Sequence, residues 1–177
     1  MRLFAIGVLA LHAFLSYRTF TVTAFLMPGN STSEIVLVGY SADLKIKDFE
    51  CIKSTYITME KEWMKRYLHF TFIGAQRSRT LMQLAFYTKV EKYPLDVEVR
   101  NKGTIVDYFG AKKKYQIRYY DETSLVLSDP IRKVWELEPC SFWVTKKSIN
   151  KISQLANETF FSICKNATFV GFKHPCF

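Results

Sequence analysis

The sequence lacks the patterns that identify an enzyme, a metalloprotein or a membrane protein. It has no G-x-S-x-G, H-E-x-x-H, P-loop or dinucleotide-binding glycine motif. None of its three histidines stands near a cysteine at zinc spacing. No segment reaches the roughly 20 apolar residues that a membrane-spanning helix requires. We therefore predict a protein that is not an enzyme, binds no metal or cofactor and does not enter a membrane.

Glycine and proline are also scarce, whereas aromatic residues are abundant. Seven Gly and five Pro among 177 residues exclude a collagen-like or low-complexity chain. Fifteen Phe, ten Tyr and three Trp make up 16% of the sequence, and such rings favour β-strands. Hydrophobic residues reach 49%, which is enough to form the core of one domain.

The N-terminus has the three parts of an export signal. Arg2 precedes the apolar run Leu3–Leu15, and Val22-Thr23-Ala24 provides small residues for cleavage. We expect residues 1–24 to be a signal peptide, residues 25–177 to form the mature domain and the protein to be secreted. A retained membrane anchor is the alternative.

In an exported protein, cysteines and asparagine sequons predict disulfides and glycans. An even number of cysteines without a C-x-x-C pair predicts two disulfides, and the residues alone leave three pairings open. The cysteines are Cys51, Cys140, Cys164 and Cys176. The N-x-[ST] sequons predict glycosylation at Asn30, Asn157 and Asn166.

The net charge of +9 includes a dense run at Lys112–Lys114. A basic surface can attract nucleic acid, sulfated glycans or anionic lipids, but no nucleic-acid motif accompanies the run. We therefore interpret the basic residues mainly as a solvated surface, and we predict no nucleic-acid partner.

Hydrophobic alternation predicts about eight short strands followed by one helix. In residues 66–73, Leu68, Phe70 and Phe72 fall on one face, typical of a half-buried strand. From Ile149 to Ile163 the period lengthens to three and four residues, which predicts a helix capped by Ser148. This layout fits an antiparallel lipocalin barrel, and an immunoglobulin-like sandwich fits almost equally well.

Specific motifs resemble the tick salivary lipocalins, a group that includes the histamine-binding proteins. The run Cys140-Ser141-Phe142-Trp143-Val144 is similar to their C-E-L-W-V motif, and a helix ending in Cys164 and a closing Cys176 follow it. Ile35–Tyr40 and Asp48–Cys51 are similar to their first two strands. The resemblance covers residues 34–177. It implies a mainly β fold: an eight-stranded antiparallel lipocalin-like barrel with a C-terminal α-helix packed outside.

The resemblance also implies how the cysteines pair. It joins Cys51 to Cys176 and Cys140 to Cys164. The family's further bridge is lost as a pair, because Ser124 and Asn157 stand where its two cysteines are expected.

The same resemblance implies a ligand site inside the barrel. Tyr40, Asp43 and Trp143 match family positions, whereas Ser141 and Leu125 replace acidic residues that hold an amine in the histamine-binding members. Ile46 stands near a position that is often Trp. We add two aromatic residues as candidate wall positions, Phe86 and Tyr119.

Two hypotheses of function follow. The first is a monomeric salivary protein that sequesters a small host mediator, either histamine or another amine, or a leukotriene or other lipid. The second is a protein that acts through its outer surface on a host complement or coagulation protein or on a sulfated glycan. A filled barrel interior would favour the second hypothesis.

Overall fold

A computed structural model describes residues 27–44, 49–90, 94–98, 112–131, 137–170 and 176. The predicted signal peptide and Ile46 lie outside these described residues. Across those ranges, no helix is long and apolar enough to cross a membrane.

Eight antiparallel strands close into a barrel. They are β1 (Ile35–Ser41), β2 (Phe49–Glu60), β3 (Trp63–Ile73), β4 (Arg79–Val90), β5 (Pro94–Glu98), β6 (Lys114–Tyr120), β7 (Ser124–Ser128) and β8 (Cys140–Thr145). Each strand pairs with the next, and β1 pairs with both β8 and β2, so that Ile35 lies opposite Thr145 and Ser54. This closure confirms the barrel and rules out the sandwich. It also removes the exposed edges of an open sheet.

The pleat assigns alternate residues of each strand to the interior and the exterior. On β3, Leu68 and Phe70 pack inside the barrel, whereas His69 faces outward and hydrogen-bonds Thr55 at 2.8 Å. Cross-strand partners share a face. The strict alternation of β3 in the sequence is therefore the pattern of a barrel wall.

The upper part of β1 pairs with the C-terminal segment instead of with β2. A ninth strand, β9 (Ala167–Phe169), lies antiparallel to Gly39–Ser41. Further along, Cys176 is bonded to Cys51 on β2. β1 and β2 pair directly only at Ile35 and Val36. Beyond that stretch, β9 pairs with β1 and Cys176 is bonded to β2, so the C-terminal segment contacts both strands.

One helix, α1 (Gln154–Ile163), lies outside the barrel. Its N-cap is Ser153, whose hydroxyl accepts from the Ala156 N–H, so the predicted cap at Ser148 is wrong. Lys146–Ser148 forms a separate 3₁₀ turn. Ile149 and Ile152 lie before the helix and pack against the buried residues beneath it, so their apolar spacing reflects the packing of a loop.

Beneath α1 lies a fully buried set of side chains, here named the outer core. Its members are Val36, Val38, Val126, Cys140, Phe142, Val144, Ala156, Phe160 and Cys164. The disulfide Cys140–Cys164 joins β8 to the residue that follows α1. Phe160 lies so close to β1 that a Cβ built on Gly39 would approach its ring to 2.8 Å. A glycine at this position allows the helix to pack tightly against the strand.

The segment before β1 closes one end of the barrel. Met27 is buried with the inward-facing Leu95, Ile117, Leu125 and Leu127, a group named here the floor cluster. Pro28–Asn30 forms a 3₁₀ turn that contacts β4, β7 and β8. The buried residues of this short lead-in therefore pack against three strands of the barrel.

Candidate functional site

The barrel interior is lined by apolar and aromatic side chains. Around Leu37, Ile52 and Phe70 pack the residues named here the inner wall, which comprises Tyr40, Phe49, Leu68, Met82, Leu84 and Trp143. These wall residues are only half-buried, in contrast to the outer core. Because they point inward, the surface that they retain lies on the inward side of the wall.

Within the described strands, no Asp or Glu occupies a position on this inward face. Alternation and cross-strand pairing place only neutral polar groups and one cation there, in addition to the apolar residues. The hydroxyl-bearing side chains are Tyr40, Ser54, Tyr56, Thr80, Thr88, Tyr115, Tyr120, Ser141 and Thr145. The cation is Arg66. Over the described residues, an interior of this kind can bind an apolar molecule but offers no counter-charge to an ammonium group.

Three of the predicted ligand residues meet inside the barrel. Tyr40 lies opposite Ser141 in the pairing of β1 with β8, and Trp143 follows on the same face. The Trp143 indole N–H donates to the Ser141 hydroxyl at 3.0 Å, and the ring touches both the inner wall and the floor cluster. Trp143 therefore lies between the closed end and the interior above it.

Asp43 lies outside the barrel. It is exposed in the turn that follows β1, where Lys165 approaches its carboxylate at 2.9 Å and Asn166 donates to it at 3.4 Å. The Lys165 and Asn166 hydrogen bonds lower the pKa of Asp43. The carboxylate therefore connects two surface turns, and it does not face the inner wall.

The two added aromatic residues lie on opposite faces of the wall. Phe86 is half-buried and lies opposite Arg66, on the inward face. Tyr119 packs against the outer core, and its hydroxyl donates to Asp121 at 2.9 Å. A register shift between Ile117 and Tyr119 separates this outward residue from its inward neighbour on β6. The alternation of the sequence alone does not reveal such a bulge.

Sequence reasoning missed Arg66, the charged side chain on the inward face of the described strands. It is 1% exposed, and its guanidinium donates to Ser54 Oγ, to the Ser31 and Ser33 carbonyls at 2.7 Å, to the Ser54 carbonyl and to Met64 Sδ. These five contacts match its five N–H groups. Burial lowers the pKa of Arg66 to about 10. Arg66 therefore fastens the lead-in to the barrel and has no N–H left for a ligand.

A sequence signal for Arg66 was present. It stands in phase with Leu68, Phe70 and Phe72 on the apolar face of β3. A cation on such a face indicates a buried group with specific hydrogen-bond partners. Its partners, the carbonyls of Ser31 and Ser33, could not be read from the pattern because they lie more than thirty residues away.

The three sequons differ in their surroundings. The Asn30 side-chain oxygen accepts from the Met27 N–H at 3.1 Å, in the half-buried lead-in. Asn157 is half-buried on α1, with a buried Oδ1 that has no hydrogen-bond partner. Asn166 is exposed in the turn between α1 and β9.

Comparison with known proteins places this barrel in a family. The family model for the tick histamine-binding protein matches residues 18–176. The chain belongs to the tick histamine-binding protein family. Among its relatives, Japanin from Rhipicephalus appendiculatus is 32% identical over 159 residues, which cover 90% of this chain and 89% of Japanin. Japanin-like-RS from Rhipicephalus sanguineus is 30% identical over 162 residues, or 92% of this chain and 90% of that protein.

A solved structure shows the same fold. Japanin from Rhipicephalus appendiculatus, crystallised with bound cholesterol, superposes with a TM-score of 0.74 at 32% identity. The match covers 84% of this chain and 97% of Japanin. The lipocalin barrel and the family membership predicted from the sequence are thus confirmed.

Proposed function

We propose that the protein is a secreted tick lipocalin that encloses an apolar, lipid-like molecule in its barrel and so withdraws it from the host. Sterols and fatty-acid derivatives such as leukotrienes are the ligand classes that fit. Histamine and other small cationic amines fit poorly.

The character of the inward face carries this proposal. A buried ammonium group needs an anionic partner, because removing an unpaired charge from water costs several kcal/mol. The positions at which the amine-binding members carry acids are Ser141 and Leu125 here, and Asp43 lies outside. The half-buried inner wall instead offers apolar surface to a ligand.

The relatives support the lipid class. Japanin was crystallised with cholesterol, a largely apolar molecule with one hydroxyl group. In this chain, the hydroxyls of Tyr40 and Ser141 are inward-facing groups that could pair with one ligand hydroxyl. The two disulfides and the apolar N-terminal run fit an exported protein.

The test is a titration of purified mature protein with a fluorescent sterol, with arachidonic acid and with histamine. Trp143 lies beside the inner wall, so a bound lipid should change the intrinsic fluorescence, with a Kd of about 1 μM or tighter. Histamine should give no saturable change. Tight histamine binding without lipid binding would overturn the proposal.

A charge placed in the interior sharpens this test. Ser141→Glu introduces a carboxylate beside Trp143, so lipid affinity should fall by about tenfold or more and histamine affinity should rise. Ser162→Glu makes the same change at an exposed position of α1 and serves as the matched control. Equal effects of the two variants would contradict an interior site.

The surface-acting alternative gains less support from the structure. In the lysine run, Lys112 is paired with Asp129 at 3.8 Å and Lys114 with Asp96 at 3.4 Å. These ion pairs partly neutralise the run that sulfated glycans would be expected to contact.

A further inference from the structure

Two exposed phenylalanines extend the outer core to the surface. Phe161 on α1 is 46% exposed and Phe169 on β9 is 41% exposed. Their ring centroids lie 5.2 Å apart, edge to face, and both rings also contact the buried Phe160. The pair is named here the aromatic patch.

The aromatic patch flanks a sequon. Phe161 lies in the last turn of α1, Phe169 ends β9, and the turn between the two elements is Lys165–Asn166. The sequon Asn166-Ala167-Thr168 therefore begins in the turn whose two arms carry the patch. Contiguous exposed apolar surface is often a contact site in the working protein.

The local structure of Asn166 is compatible with a glycan. Its side chain is exposed, and so is Thr168, the third residue of the sequon. Its φ of 47° is left-handed, a conformation that asparagine tolerates better than most residues. An N-linked asparagine keeps one amide N–H, so the hydrogen bond to Asp43 can persist after modification.

The other sequons are less suitable. Asn30 uses its side-chain oxygen within the lead-in at the closed end of the barrel. Asn157 stands one helical turn before Phe161, so it is the competing carrier of a glycan near the patch. Its Oδ1 is buried, however, and its sequon lies within the helix.

We propose that Asn166 carries an N-linked glycan whose first sugars pack on Phe161 and Phe169. In the transfer, Asn166 Nδ2 loses a proton and bonds to C1 of N-acetylglucosamine. The bond from C1 to the pyrophosphate of the lipid-linked donor breaks, and the lipid pyrophosphate leaves. The C–H face of the sugar then covers the aromatic patch, and its hydroxyls face water. This site lies outside the barrel and is independent of the ligand.

Occupancy is tested by expressing the full chain in insect cells and mapping its glycopeptides by mass spectrometry. Asn166 should be occupied, and Asn166→Gln should remove that glycan, whereas Asn157→Gln and Asn30→Gln should leave it in place. An unmodified Asn166 in the secreted protein would overturn the proposal.

Packing is tested by a double-mutant cycle on thermal stability. The difference in Tm between glycosylated protein and Asn166→Gln should fall by at least about half when Phe161 is replaced by Ser. Leu155→Ser, which removes a 61% exposed apolar side chain from the first turn of α1, should leave that difference unchanged. Phe169→Thr is a second, independent variant, in case Phe161→Ser does not fold.

An additive cycle with both patch variants would mean that the glycan projects into solvent, which would overturn the packing. Trimming the glycan to a single N-acetylglucosamine should retain most of the Tm difference. The lipid affinity of Asn166→Gln should match that of the glycosylated protein without the substitution. A failure of this inference is therefore distinguishable from a failure of the proposed function.

Discussion

The two faces of β8 have opposite characters. Outward, Phe142 and Val144 are completely buried beneath α1, and Cys140 is bonded to Cys164. Inward, Ser141 and Trp143 are only half-buried. On this strand the outer face is fully buried, whereas the inner face keeps accessible surface. Buried side chains also lie inside the barrel, in the floor cluster and around Leu37, Ile52 and Phe70, so the contrast belongs to the part of the wall around Trp143 and supports the proposal of an interior site there.

The largest expected effect on stability comes from replacing one phenylalanine on each face of the barrel wall by alanine. Phe160→Ala removes a fully buried ring from the outer core and should lower the free energy of unfolding by about 3–5 kcal/mol. Phe86→Ala removes a half-buried ring from the inward face and should cost only about 1–2 kcal/mol. Urea denaturation followed by circular dichroism measures both values.

Ligand binding should respond in the opposite order. Phe86→Ala should weaken sterol binding, and Phe160→Ala should leave it nearly unchanged at temperatures where the variant is folded. If Phe86→Ala proved the more destabilising of the two, the interior would be a packed core and the contrast between the faces would fail.

The next effect concerns the closed end of the barrel. Arg66→Met keeps the length of the side chain but leaves the carbonyls of Ser31, Ser33 and Ser54 without their buried donor. We expect a loss of about 3 kcal/mol and faster amide hydrogen exchange in residues 27–33. Unchanged exchange in that segment would show that Met27 and its neighbours hold the lead-in without Arg66.

A smaller loss is expected where the helix meets β1. Gly39→Ala places a methyl group 2.8 Å from the Phe160 ring, which must then shift. We expect a cost of about 1–3 kcal/mol, measured by thermal unfolding, with ligand affinity unchanged. The same Gly→Ala change at Gly74, the half-buried residue after β3, brings the methyl group to 2.7 Å from the Ser78 hydroxyl. It should cost less, because the exposed Ser78 side chain can rotate away.

The smallest effect lies in the β6–β7 turn. Burial alone would raise the pKa of Asp121, but hydrogen bonds from Thr123, Tyr119 and Ser124 outweigh burial and lower it. The stability that Asp121 contributes should therefore be present above about pH 4 and be lost as the pH falls through its lowered pKa. Asp121→Asn cannot accept equally well from Tyr119 and Thr123 and should cost about 1 kcal/mol at pH 7. At pH 3 the variant and the parent should differ less; a constant difference would assign the effect to another group.

Much of the fold could be predicted from the sequence because local alternation determines it. In β3, the spacing of Leu68, Phe70 and Phe72 gave both the strand and its inward face. The helix was predicted but started too early, since Ile149 and Ile152 pack against the outer core without being helical. Tyr119 could not be assigned to the outer face from alternation, because the bulge on β6 changes the phase.

The sequence alone determined the family resemblance of this chain and the lack of an acid at residue 141, because these depend on residue identity and on the order of motifs. The barrel followed from that resemblance, since hydrophobic alternation by itself left the sandwich open. Only the tertiary structure showed which residues that are distant in the sequence lie close together. It put Asp43 outside the barrel against Lys165, closed one end of the barrel with Met27 and Arg66, and brought Phe161 and Phe169 together on either side of the turn that holds Asn166. The physical reason is that strand closure and helix packing bring together residues far apart in sequence, and no local pattern records those contacts.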